Sequence, residues 1–414
     1  MRAANEVWIT GLGAHTAAGA GAAALGEGLL RASSLALPAP EFGDHWVARA
    51  PDPELGRSAR RLDRSSQFFL AAAREAWRHA GLDCAPLDPD RIAVLDGLSL
   101  GPIGDLLVAE RERCRDGFPA RISPAHLIRM MVGAGGATFA QEVGAHGSVF
   151  ALSAGSTSGA VAILEGWAKL RTGLADVVVA GGADAPLDSE VLAVFQSAGI
   201  LAPAGDAQPC RPFDVSRCGT ILGEGAGVVV LERADHARRR GAVPLAILVG
   251  GGMSGEDGSM MAPDPAGRGV ARATAHALAG VRGRVGWIKA HGTATRANDA
   301  AECRALDGAL AGVPVSSLKP LIGHCLGASG AVELVAAVLA LRAGVVPATL
   351  GTTNVDPSLG GRRIALEPEE FVGSTALLLS QSLGGRCAAL AVGRAACGWS
   401  VAKATARPGS LKRL

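Results

Sequence analysis

Tyrosine is absent from this chain of 414 residues, so nine phenylalanines and six tryptophans must supply any aromatic lining of a cavity. The eight cysteines (84, 114, 210, 218, 303, 325, 387 and 397) are scattered without CxxC spacing. The opening MRAANEVWITGLG has no long apolar run behind a basic start, as a secretion signal requires. Together these read as a reduced, cytoplasmic chain. No segment offers about 18 uninterrupted apolar residues, so no membrane-spanning helix is expected. No basic stripe stands out either: 40 Lys and Arg are interleaved with 38 Asp and Glu, for a net charge of +2. That balance argues against nucleic acid and leaves small molecules or proteins as partners. Nor is there a repeat of about 20 to 50 residues, which excludes a solenoid.

What is present is an ordinary globular balance, 49% hydrophobic and 19% charged. Short apolar runs that mostly end in glycine recur as strand candidates: VWITGLG (7–13), RIAVLDG (91–97), DVVVAGG (176–182), GVVVLE (227–232), AILVGGG (246–252), WIKAHG (287–292) and ALLLSQSLGG (376–385). Helical patterns lie between them at 65–81, 158–171, 269–280 and 328–344. Continuous apolar strands in mixed order with helices point to an α/β layered fold with buried sheets. A charged stretch ending in Gly and Pro, ERADHARRRGAVP, divides the chain into an N-terminal half (1–240) and a C-terminal half (241–400). The small, basic tail 401–414 is expected to be flexible.

Two glycine-rich stretches fail as nucleotide or hydrolase motifs. GLGAHTAAG follows a strand but puts Thr16 where a dinucleotide fingerprint has its third glycine, and no GxxxxGK[ST] occurs. In GSTSG the centre is Thr157 rather than a serine, unlike a nucleophile elbow. Ser156 nonetheless sits where a strand turns into a helix N-terminus, a place that favours developing negative charge. His291, in HGTATRANDAAE, lies at a strand end, a usual place for chemistry in layered α/β proteins. His324, in SSLKPLIGHCLGASGAVE, lies in a Gly-flanked loop before a helix. No HExxH and no suitably spaced acidic ligand accompany the two histidines, so no metal is expected.

In order and spacing, STSG with ADVVVAGGAD, RPFDVSRCGTILGEGAGVVVLE, HGTATRAND and KPLIGHCLGASG resemble the successive motifs of elongating β-ketoacyl-acyl-carrier-protein synthases. These are the condensing enzymes of fatty-acid and type II polyketide synthesis. The resemblance covers about residues 5 to 395 and implies the thiolase-like fold, two related α/β halves forming a five-layered core, and a dimer. It implies an acyltransferase of the 3-oxoacyl synthase type with no cofactor of its own, its substrates arriving on the phosphopantetheine arm of an acyl carrier protein. The family's acyl-accepting cysteine falls on Ser156, and the two histidines that assist malonyl decarboxylation and stabilise the enolate fall on His291 and His324. Lys319 matches the lysine that braces the second histidine region. Glu302, Asn298 and Asp299 match supporting positions around the histidines. Thr293, Thr295, Leu383 and Gly384 fall on substrate-binding and gate positions, and the amides of Ser156 and Leu383 on the oxyanion hole.

The departures are local. GSTSG differs by one atom from the GCTSG of polyketide ketosynthases. An alcohol needs a base at the moment of attack where a thiolate does not, and an oxygen ester passes its acyl group to carbon less readily, so condensation through Ser156 should be slow. The GFGGTN-like run of the family is SLGGRC here, with Leu383 in place of the gating Phe. Cys218 and Thr220 stand where Asp and Phe are common. Two expectations follow: an acyl- and malonyl-handling enzyme, or a subunit like a chain-length factor paired with a Cys-bearing ketosynthase. Such a subunit typically lacks the Cys and need not keep either histidine, whereas this chain keeps His291, Asn298, Asp299, Glu302, Lys319 and His324. The partners implied are an acyl carrier protein and a second copy or a related ketosynthase.

Overall fold

The computed structural model describes residues 6–31, 33–57, 59–117, 124–306 and 308–395; the proposed tail at 401–414 lies outside them. The N-terminal strands are β1 (Val7–Thr16), β2 (Ile92–Gly97), β3 (Val149–Leu152), β4 (Val177–Asp184) and β5 (Gly225–Arg233). The C-terminal strands are β6 (Ala246–Gly255), β7 (Val285–Lys289), β8 (Val315–Ser316), β9 (Thr375–Ser382) and β10 (Arg386–Arg394). The helices that matter here are α1 (Arg64–His79), α2 (Ala134–Val143), α3 (Ser158–Arg171), α4 (Arg268–Leu278), α5 (Arg296–Ala305) and α6 (Ser329–Ala343).

The first five strands lie in the order β1-β5-β4-β2-β3, and the second five in the order β6-β10-β9-β7-β8. Relative to chain order the two are identical, and so is the pattern of directions. In each, two antiparallel pairings are followed by two parallel ones. The halves are therefore structural duplicates, a relation that their sequences do not show. They join where β1 pairs antiparallel with β6, Val7 opposite Leu248.

Five layers follow from which elements touch. Helices α1 and α2 cover the outer face of the first strand set, and α4 the outer face of the second, with α5 packed beside α4. Helices α3 and α6 lie between the sets, α3 on β2, β4 and β10, and α6 on β5 and β9. Sequence explains that placement. Helix α1 alternates charged residues with Phe68, Phe69 and Trp77, presents one apolar face, and starts on an Asp63 carboxylate that accepts the Ser66 amide at 3.1 Å. Helix α6 is apolar all round, as a helix covered on every side must be. The stretch Leu326–Ala343 is long and apolar enough to cross a membrane, yet 83% of it is buried inside the fold. Its one acid, Glu333, is explained by the site.

Candidate active site

Both halves send chain ends to one place. The turn before α3 is held by its own hydroxyls: Thr157 Oγ1 donates to Ala154 O at 2.7 Å, and Ser158 Oγ accepts the Ala154 amide at 2.8 Å. Behind it, Gly159 packs on the carbonyl of Gly327, where a Cβ would come within 2.8 Å, and Gly182 meets the same atom at 2.8 Å. Only glycine allows that approach, and it brings the Ser156 turn against the loop that carries His324. Asp184, at the end of β4, fastens the same loop. Its carboxylate accepts the amides of Ser99, Leu100, Gly101 and Gly327 at 2.7–3.1 Å.

His291 and His324 are buried, and their rings meet edge to face with centroids 5.3 Å apart. The first is held through its backbone, the second through its ring. Glu302 on α5 accepts the amides of His291 at 2.5 Å and Gly292 at 2.9 Å, and Ser329 Oγ lies 2.8 Å from His324 Nδ1. His291 Nδ1 is buried with no hydrogen-bond partner among the described residues. Burial pulls the pKa of both rings well below the usual value of 6.5, and the charges of Lys319 and Lys289 pull the same way. The pair is therefore neutral at pH 7, able to donate N–H bonds to an anion without itself carrying charge.

The Nζ of Lys319 reaches Glu333 on α6 at 2.8 Å, and Lys289 at the end of β7 grips the other oxygen of that carboxylate and donates to Leu379 O at 2.7 Å. All three are buried. Two ammonium groups against one carboxylate leave a net positive charge beside the histidines, although burial lowers the Lys289 pKa from its ordinary value. Lys289 and Glu333 escape sequence reading because each sits in an apolar run. A lone acid in the middle of an otherwise apolar helix is nonetheless a signal, since a buried charge needs a partner.

Asn298 and Asp299 serve a neighbouring loop. Asp299 accepts the Phe213 amide at 2.8 Å and the Asn298 Nδ2 at 3.3 Å, with Arg217 Nε 3.8 Å away, and burial raises its pKa to about 6. Burial likewise raises Glu302 to about 7. Thr293 and Thr295 pair hydroxyl to hydroxyl at 2.9 Å. Phe213, Ala294 and Leu326 all have positive φ, at 67°, 61° and 43°. Non-glycine residues pay roughly 1–3 kcal/mol for such conformations, and three of the four in the described chain surround this site.

Ser156 is half-buried, and its hydroxyl makes no hydrogen bond to a described residue, so neither histidine is engaged with it as a base. Its amide is also not free: it donates to Ser382 Oγ at 3.0 Å. Leu383 is 41% exposed, and the Gly384 amide donates to Met260 O at 2.9 Å, fastening the β9–β10 turn. Burial raises the thiols of Cys303, Cys325 and Cys387 and pushes Cys210 up to about 12, so none of these four is activated as a thiolate. Among the described residues no group of three His, Cys, Asp or Glu is placed to hold a metal ion.

The family model described as beta-ketoacyl synthase, N-terminal domain, matches residues 4–237, and its C-terminal counterpart matches 245–353. The chain is 33% identical over 343 residues to 3-oxoacyl-[acyl-carrier-protein] synthase 2 of Mycobacterium bovis, covering 81% of this chain and 82% of that protein. It is 34% identical over 352 residues to the granaticin polyketide putative beta-ketoacyl synthase 1 of Streptomyces violaceoruber, covering 82% and 84%. Among solved structures, one described as a type II polyketide synthase acyl-carrier protein in complex with its ketosynthase superposes with a TM-score of 0.87 at 26% identity, over 95% of this chain and 99% of that one. The ishigamide ketosynthase/chain length factor follows at 0.85 and 29%, over 94% and 99%. With both domain models matched in order and the duplicated, five-layered architecture beneath them, the chain belongs to the beta-ketoacyl synthase family.

Proposed function

We propose that this chain handles acyl and malonyl groups carried on an acyl carrier protein in fatty-acid or polyketide assembly, and that the step its site serves best is malonyl decarboxylation. The observation that carries this is the neutral His291–His324 pair beside two lysines that share one carboxylate. When the bond between the malonyl carboxylate and the α-carbon breaks, CO₂ leaves and the electron pair moves onto the thioester oxygen. Two N–H donors in a buried, positively biased site stabilise that enolate far better than water does. Lys319 and Lys289 act through Glu333 and through their field, while Glu302 holds the backbone that carries His291 and Ser329 orients the His324 ring.

Ser156 is the acyl acceptor in this reading. Attack by its hydroxyl forms an ester bond to the acyl carbonyl, breaks the carrier thioester and sends the proton to the departing thiol. With no base engaged, that transfer is slow. The halves 1–240 and 241–400 act as one unit in the cytoplasm, and the arm of the carrier enters past Leu383, Gly384, Thr293 and Thr295.

The second reading, a chain-length-factor-like subunit beside a Cys-bearing ketosynthase, is favoured by the occupied Ser156 amide. In either reading the free edge of β3, where Val149 and Phe150 are 38% and 39% exposed, pairs readily with another chain, whether a second copy or a related ketosynthase. Intact-protein mass spectrometry after incubation with acyl-loaded carrier proteins separates the readings. An adduct mapped to Ser156 supports acyl transfer. Acylation that appears only after Ser156→Cys, together with a one-to-one heterodimer on co-expression, supports the subunit.

A further inference from the structure

We propose that Ser382 is a latch on the acyl site: its hydroxyl occupies the position at the Ser156 amide that an acyl carbonyl oxygen must take. The inference rests on the reading of Ser156 as the acyl-accepting position. Acylation at residue 156 turns a carbonyl oxygen into an oxyanion, and the backbone N–H of that residue, at the entrance to α3, is the donor that oxyanion needs. In this chain the donor is spent on Ser382 Oγ at 3.0 Å.

The contact is built rather than incidental. Ser382 closes β9, and its hydroxyl fills the space beside Gly155, whose φ is 61°. A Cβ on Gly155 would stand 2.0 Å from Ser382 Oγ and 3.2 Å from its Cβ. The same point lies 3.7 Å from Arg386 Nη1, and Arg386 pairs with Ser382 across the β9–β10 hairpin. The hairpin cannot drift away, because the Gly384 amide is bound to Met260 O at 2.9 Å and Gly385 O accepts the Glu256 amide at 2.7 Å. Ser382 is thus a positioning residue that sets whether the acyl pocket is armed.

The test uses Ser156→Cys, a thiol that reacts without a base, and adds Ser382→Gly or Ser382→Ala. Two probes need no carrier protein. A hexanoyl N-acetylcysteamine thioester passes through an oxyanion: the thiolate attacks the carbonyl carbon, the thioester C–S bond breaks, and the departing thiolate takes up a proton. Iodoacetamide alkylates the same sulfur with loss of iodide and forms no oxyanion. The latch predicts that either second substitution raises the acylation rate by at least about tenfold with alkylation unchanged, while Ser382→Thr, which keeps the hydroxyl, raises neither. Unchanged acylation in both Ser382→Gly and Ser382→Ala overturns the proposal. So does a parallel rise in acylation and alkylation, which reports access alone. Failure of the carrier-protein reading looks different: the small thioester acylates the thiol, yet carrier-borne groups react with no variant.

Discussion

Lys289 and Lys319 hold opposite oxygens of one carboxylate, that of Glu333, from the end of a strand and the start of a short helix. All three side chains are buried at the centre of the fold. Removing the acid leaves two uncompensated ammonium groups where water cannot reach. Glu333→Gln is expected to destabilise the protein by about 3–5 kcal/mol, read as a lower midpoint in urea unfolding. An unchanged midpoint would show that the lysines do not depend on it.

Lys289 bears on acid tolerance as well as on stability. Burial, reinforced by the field of the two lysines, keeps the histidines neutral, so wild-type decarboxylation should show no loss with an apparent pKa near 6.5 as the pH falls from 8 to 6. The sign follows from the depressed pKa: the rings take up protons only well below 6.5, and the N–H donors persist until then. Lys289→Met leaves Glu333 matched by Lys319 alone and removes one repulsive charge. The acid limb of the rate profile should then move up toward 6.5. A profile that does not move would assign the depression to burial alone.

The same shifts make a statement about folding. The unfolded chain binds protons on both histidines below about pH 6.5 while the folded chain does not, so this part of the stability is present above that pH and is lost as pH falls through the folded values. His324→Gln removes one of these sites and should flatten the dependence of unfolding free energy on pH between 6.5 and 5. An equal slope in the variant would contradict the assignment.

Much of this site is legible in the sequence, and the parts that are not share a physical cause. Helix α3 spans Ser158–Arg171 as its pattern predicts, and each of the seven apolar runs contains a strand, although WIKAHG leaves its strand after Lys289 and ALLLSQSLGG after Ser382. Strand β3, VFAL, is too short to carry a period, β8 has two residues, and β10 opens on Arg and Cys and is rich in alanine, a weak strand former. His291 and His324 stand out because glycines flank them. Lys289 and Glu333 do not, because a reading by hydropathy assigns apolar runs to the core and the pair forms across the fold. The occupied amide of Ser156 is equally invisible, since Ser382 looks like an ordinary strand end until the hairpin brings it to Gly155.

Release of CO₂ from malonyl-loaded acyl carrier protein, compared between the wild-type chain and His291→Ala, tests the central claim most directly. Steady release by the wild type is expected, lowered by about 10²–10³-fold in the variant, since one donor to the enolate is lost. Release that is unchanged in His291→Ala, or no release by the wild type, would contradict it.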